Sequence, residues 1–214
     1  MLNNPVDLLS VVLGGALGRS GRKRARKAAH FLGGRGGFLS ASTLIAAAGV
    51  AWGIYDSVKG QEQGAYGASG ASGALGSVPV PQVPPVPVIP QPLPDPVLRV
   101  IRLAVSAARA DGDLSEKERA LILARAREAG LEAVIEAELA APHPLADIVR
   151  GLTHEEGRKE LYILAYTIVR ADETVSGAER IYLAQLAHQL GLDAAAVAAL
   201  ESETAAKIDA QPNS

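Results

Sequence analysis

RADGDLSEKER, from Arg109 to Arg119, and RADETVSGAER, from Arg170 to Arg180, are one acidic turn written twice. They agree at Arg, Ala, Asp, Ser, Glu and the closing Arg. Without a gap the match runs on to Ala126 and Ala187, then to Gly130-Leu131 and Gly191-Leu192. Each copy places serine three residues before glutamate (Ser115 and Glu118, Ser176 and Glu179). That is the capping-box spacing, in which the two side chains satisfy main-chain amides at a helix start. Apolar residues at helical spacing precede both turns: Val97, Val100, Ile101, Ala104, Val105 and Ala108, then Leu161, Tyr162, Leu164, Ala165, Ile168 and Val169. A glycine follows each second helix where a helix stop belongs. The reading is a duplicated helical hairpin.

Outward from the turns, the same signals mark further helices. Asp95 is expected to cap the first helix, with Pro96 in its first turn. Leu131 to Leu139 reads as a short helix ended by Pro142 and Pro144, and Leu145 to Leu152 as another. Thr153 and Glu156 form a further capping box opening a helix through Ala171, and Asp193 caps a last helix reaching about Ala206. Residues 97–209 are therefore expected to form an all-α bundle of about six to seven helices, each hairpin burying its apolar face on the other. Residues 210–214 read as a flexible tail.

The rest of the chain has a different composition. Residues 60–96 form a linker, rich in Gly, Ala and Ser to Ser77, then carrying nine prolines in the eighteen positions 79–96. That proline density favours a polyproline II spacer on the order of 55 Å long, from about 3.1 Å per residue. Phe38 to Tyr55 is uncharged; as a helix it is roughly 27 Å long, enough to cross a bilayer's hydrocarbon core. Trp52 and Tyr55 suit an interface, and Gly49 and Gly53 permit close helix contact, so 38–59 is expected to be a transmembrane or membrane-associated helix through which copies associate. Residues 1–37 are a Gly-rich basic arm, with Arg19, Arg22, Lys23, Arg24, Arg26 and Lys27 clustered as at a membrane face. On that reading the basic cluster is cytoplasmic and the bundle lies across the membrane, unless Val6–Leu17 also enters and returns the chain. Residues 1–60 hold eight Lys and Arg against two acids, while 97–209 hold thirteen against nineteen. Without stacking aromatics or further basic surface, the cluster gives no reason to expect nucleic acid.

Catalytic signatures are missing. There is no cysteine, which removes disulfides, thiolate metal sites and cysteine nucleophiles. Phosphate-binding G-K-[ST], G-x-S-x-G and H-E-x-x-H motifs are absent. His30, His143, His154 and His188 show no ligand spacing.

Helix, A-D-[GE]-x-[LV]-S-x-x-E turn, helix, written twice, resembles the TerB-like family named after tellurite-resistance proteins. The glycine-rich basic start and GVAWGIYDSVKG resemble its membrane-attached, YebE-like bacterial branch. The resemblance implies a compact helical domain with no established reaction, stress-response duty, and acidic residues proposed to hold a divalent cation, calcium foremost. By position those acids are Asp111 and Glu118, Asp172 and Glu179; the family glycine is kept at Gly112 and replaced by Glu173. A hard cation wants six to eight oxygens on a short rigid turn. Asp111 and Glu118 face one corner, Asp172 and Glu179 join it if the hairpins pack about a pseudo-twofold, and Asp113 and Glu173 adjoin them. The competing reading is structural: the glutamates are capping acceptors, the aspartates hold turn amides, and Arg109, Arg119, Arg170 and Arg180 neutralise the acids. An EF-hand is excluded, since its twelfth position is Ile122. The expectation is a non-enzymatic module tethered to the bacterial inner membrane, in envelope or metal stress, with unidentified protein partners. Its alternative is a soluble, metal-free interaction adaptor.

Overall fold

A computed structural model of the chain describes residues 22–33, 38, 93–112, 114–128, 130–171 and 175–211. Among them are eight helices and no strand: α1 (Arg22–Gly33), α2 (Asp95–Ala108), α3 (Glu116–Glu128), α4 (Glu132–Ala140), α5 (Leu145–Val149), α6 (Glu155–Arg170), α7 (Gly177–Leu190) and α8 (Ala194–Asp209). The seven from α2 to α8 make the expected all-α bundle. The apolar segment 38–59, Phe38 excepted, and the linker to Pro92 lie outside the described residues. No helix among the described residues is long and apolar enough to cross a membrane.

At the centre α2 lies against α6. Val97, Val100, Ile101, Leu103, Ala104, Val105 and Ala107 of α2 are buried, as are Leu161, Leu164, Ala165, Ile168 and Val169 of α6. Small alanines between branched residues let the two axes approach, and each fully buried Leu or Ile contributes about 1.5–3 kcal/mol. Helix α7 packs along α6, α5 bridges α2 and α7, and α8 covers α6. The first copy is arranged differently, because α3 packs chiefly on α4 rather than doubling back along α2. The duplicated unit is thus a three-helix run, α2-α3-α4 and α6-α7-α8, with α5 as connector.

Each repeat identity after the turn has a main-chain task. Leu131 N donates to Ala126 O at 2.8 Å and Gly130 N to Arg127 O at 3.0 Å; Leu192 N donates to Ala187 O and Gly191 N to His188 O, both at 3.0 Å. These are paired Schellman motifs. Gly130 and Gly191 sit at φ +71° and +66°, a left-handed conformation that costs side-chain-bearing residues roughly 1–2 kcal/mol.

Three local expectations need correction. Asp95 does not cap α2: Pro94 is the N-cap, and Asp95 lies inside the first turn. The Thr153–Glu156 box does not form; α6 starts at Glu155 without a side-chain cap, and Glu156 turns along the helix toward Lys159, 3.7 Å away. Helix α5 stops at Val149, since Arg99 reaches across to the carbonyls of Ile148 (3.0 Å) and Arg150 (2.8 Å) and Gly151 takes φ +78°.

Helix α1 is the largest addition to the sequence reading. Expected only as part of a basic arm, it packs on α8 and α6. Ala28, Phe31 and Leu32 are buried, Lys27 Nζ donates to Asp209 O at 2.7 Å, and His30 Nδ1 meets Gln211 Oε1 at 2.7 Å. Phe38 stacks on Phe31 with ring centres 5.8 Å apart.

Candidate functional site at the paired corners

Both corners begin as a helix ends. After α2, Ala110 N donates to Ala107 O at 3.1 Å and Gly112 N to Arg109 O at 3.0 Å, with Gly112 at φ +139°. After α6, Ala171 N donates to Ile168 O at 3.2 Å. Each corner closes with its capping box. Ser115 N and Oγ donate to Glu118 Oε2 at 2.8 and 2.6 Å, and Glu118 N returns to Ser115 Oγ at 3.4 Å. Ser176 N donates to Glu179 Oε2 at 2.6 Å, and Glu179 N to Ser176 Oγ at 3.2 Å. Glu179 is only 6% exposed, so its carboxylate is sealed among these bonds, whereas Glu118 is half-buried and Asp111 exposed.

Of the six expected ligands, Asp113, Asp172 and Glu173 lie outside the described residues. The other three do not converge: among the described residues no three His, Asp or Glu side chains stand close enough together to hold a metal ion. The two glutamates are acceptors of capping bonds.

The repeated first arginines meet helix ends. Arg109 Nη1 donates to Leu139 O in the last turn of α4 at 3.1 Å, and Arg170 Nη2 to Asp209 Oδ2 at the end of α8 at 3.2 Å. Arg158 Nη1 donates to Leu190 O of α7 at 3.2 Å, as Arg99 does to α5. Arg109, Arg158 and Arg99 thereby satisfy carbonyls at the negative ends of helix dipoles, while Arg170 pairs with a carboxylate. Burial lowers the pKa of Arg99, with Asp95 opposing, yet a guanidinium so bonded stays charged.

The corners do share one end of the bundle. A groove of about 440 Å³ is lined by Ser106, Arg109 and Ala110 from the end of α2, and by Ala178, Ile181, Tyr182 and Gln185 from the start of α7, with Pro142 and Leu145 as its third wall. Among the described residues no acid lines it. Ile181 is 62% exposed. The Tyr182 hydroxyl is buried beside Ser106 without a well-formed hydrogen bond, and burial raises its pKa, keeping it a donor. A second cavity of about 320 Å³, near the other corner, includes Tyr162, Tyr166, Arg170, Arg180 and Glu201. There Tyr162 Oη donates to Glu201 Oε1 at 2.6 Å. Burial first, and Glu201 second, hold that phenol above its ordinary range.

Sequence reasoning missed the groove and a buried acid in the last turn of α4. Glu138, 6% exposed, accepts from His143 N at 2.9 Å, meets His143 Nδ1 at 2.8 Å and faces Arg102 at 3.5 Å. The groove left one sequence signal, Ile181, an apolar residue off the stripe formed by Leu183, Leu186 and Leu190.

Two comparisons bear on this chain. The family described as "Protein of unknown function (DUF533)" matches residues 6–204. A protein of Yersinia enterocolitica, named only as an uncharacterized protein in the ampR 5′ region, is 32% identical over 103 residues, which is 46% of this chain and 72% of the relative. No solved structure matches the chain.

Proposed function

The chain belongs to the DUF533 family, and from that premise and the paired corners we propose a non-catalytic docking module of the TerB-like kind. It is held at the bacterial inner membrane by residues 38–59 and receives a protein partner at the corner end. Envelope or metal stress, tellurite included, is the duty that the TerB resemblance supplies. The observation that carries the reading is the groove between α2 and α7, with Ile181 62% exposed at its rim. Its walls are apolar and its polar groups, Arg109, Tyr182, Gln185 and Ser106, are all able to donate. A partner segment presenting apolar side chains and bare carbonyls fits that pattern. Among the described lining residues Ser106 has no base beside it to activate it, and we read the groove as one that holds a ligand.

The test is chemical crosslinking of the full chain in native membranes, comparing wild type with Ile181→Asp. Adducts present in wild type and lost in the variant, at equal protein level, support the reading; an identical adduct pattern sinks it.

A cation at the corners is the second reading, favoured by one observation, that Ala110 and Ala178 line the same groove and so bring both acidic turns to one end. Calorimetric titration of the purified full chain with Ca²⁺, Mg²⁺ and Mn²⁺ decides it. Heat that disappears in Asp111→Ala and in Asp172→Ala supports a site; no heat and no shift in melting temperature at millimolar ion removes it.

A further inference from the structure

We infer that the basic helix α1 and the α2–α8 bundle occupy the same side of the membrane, so that the apolar segment between them enters and leaves through one face. The inference rests on the membrane attachment proposed above and specifies its form. A single crossing by residues 38–59 would put whatever precedes it on one side and whatever follows on the other. The structure joins those two parts. Phe31 and Leu32 of α1 belong to the same buried core as Leu161, Tyr162 and Ile208. Lys27 Nζ donates to Asp209 O at 2.7 Å and His30 Nδ1 meets Gln211 Oε1 at 2.7 Å, tying α1 to the end of α8.

The points where the chain departs and returns tell the same story. Phe38, stacked on Phe31, is half-buried against that core, and Leu93, at the far end of the intervening stretch, is itself 9% exposed within it. The chain between them leaves one body and comes back to it. Any passage through a bilayer must then occur an even number of times. Between Phe38 and Leu93 two stretches are long and uncharged, Phe38 to Tyr55 and residues 63–92, and only the first is free of proline and apolar enough for a helical crossing. The return route to Leu93 is written in Gly, Ser and seven prolines. Proline lacks the amide that a lipid-exposed helix must satisfy internally, so a second crossing there would strand main-chain carbonyls in hydrocarbon. Net crossing is therefore zero, and the partner of this segment is the apolar layer beneath one leaflet. Alternation of basic and acidic halves follows naturally: the basic positions of α1 stay beside the anionic headgroups while the acidic bundle, on the same side, faces the solvent. The proline-rich stretch then closes a loop instead of carrying the bundle away from its anchor.

The absence of cysteine makes the test direct. Ala29→Cys on α1 and Ser202→Cys on α8 are both at exposed positions and are introduced singly into the full-length protein. Spheroplasts are treated with a membrane-impermeant maleimide before and after lysis, and the same cells are fractionated. The expected result is membrane-bound protein in which the two sites behave alike, both labelled in intact spheroplasts or both silent until lysis. One site labelled in intact spheroplasts and the other only after lysis overturns the inference while leaving membrane attachment intact. Recovery of the protein in the soluble fraction without detergent overturns the attachment, and the inference with it.

Discussion

The two acidic corners share Arg, Ala, Asp, Ser, Glu and Arg, yet they are embedded differently. At the second, Glu179 is sealed at 6% exposure and α7 packs along α6; at the first, Glu118 is half-buried and α3 packs on α4 instead of back along α2. Arg109 ends on a main-chain carbonyl, Arg170 on a carboxylate. Duplication has kept the main-chain punctuation, a box to start a helix and a Schellman turn to stop it, while the packing around it diverged. Identity between repeats therefore reports first on helix ends, and a shared acid is no evidence of a shared ligand until its capping role is subtracted.

Core truncation should break the comparison most strongly. Leu186 on α7 and Ile122 on α3 are both at 0% exposure, and replacing either with alanine is expected to cost about 2–5 kcal/mol. Leu186→Ala should lower global stability in denaturant. Ile122→Ala should lose amide protection mainly in α3 and α4, because those helices lean chiefly on each other. Equal loss of protection across α6 and α7 in Ile122→Ala would make the two copies one cooperative unit.

The capping boxes come next. Glu179→Ala removes a sealed acceptor and leaves Ser176 N without its bond, for about 1–2 kcal/mol, whereas Glu118→Ala, where water replaces the carboxylate, should cost about 0.5–1 kcal/mol. Thermal unfolding of the two variants measures the gap; equal shifts would mean that burial does not distinguish the corners. The helix-stop glycines follow the same order. Gly130→Ala meets nothing within 4 Å and carries only the left-handed strain, while a Cβ at Gly191 stands 3.4 Å from Arg158 Nη1, the group bonded to Leu190 O. Both should cost about 1 kcal/mol, with Gly191→Ala the larger.

The bundle was legible because its signals are local. Ser-x-x-Glu, Gly-Leu and an apolar stripe each act within a turn or two of helix, and physics over that range scarcely depends on the rest of the molecule. The box at Thr153 failed because His154 takes the N-cap, one residue later, which puts Glu156 out of register with Thr153. What stayed hidden was long-range. Nothing near Arg22–Gly33 announces that Phe31 will join a core built more than sixty residues later, since a helix rich in Arg and Lys reads equally as a solvated arm. The groove is a product of α2 and α7 meeting, and only the misplaced Ile181 hinted at it. The cation reading drew its residues correctly from the motif, but spacing cannot say whether a glutamate points to an ion or back to its own serine.

The smallest expected effect separates the copies by pH. In the second copy Glu155 is held below the ordinary carboxylate range by its hydrogen bond to Lys159, and Glu203 by its bond to Lys207. In the first, Glu132 is held down in the same way by Arg127. A folded-state pKa below the unfolded one means that the unfolded chain binds the proton first. The contribution is thus fully present above the unfolded value of 4.5 and is lost as pH falls through the lower folded value. Glu155 and Glu203 are exposed and Glu132 is partly exposed, so solvent and salt screen the pairs and the loss is small. The unfolding temperature should be level from about pH 8 to about pH 5, decline below the carboxylate range, and decline less at high salt. Lys159→Met and Lys207→Met together should flatten that acid limb more than Arg127→Met, since two lowered carboxylates lose their partners against one. An acid limb unchanged by the double variant would show that the second copy's ion pairs contribute nothing, and that its advantage over the first lies wholly in the burial of Glu179 and the packing of α7.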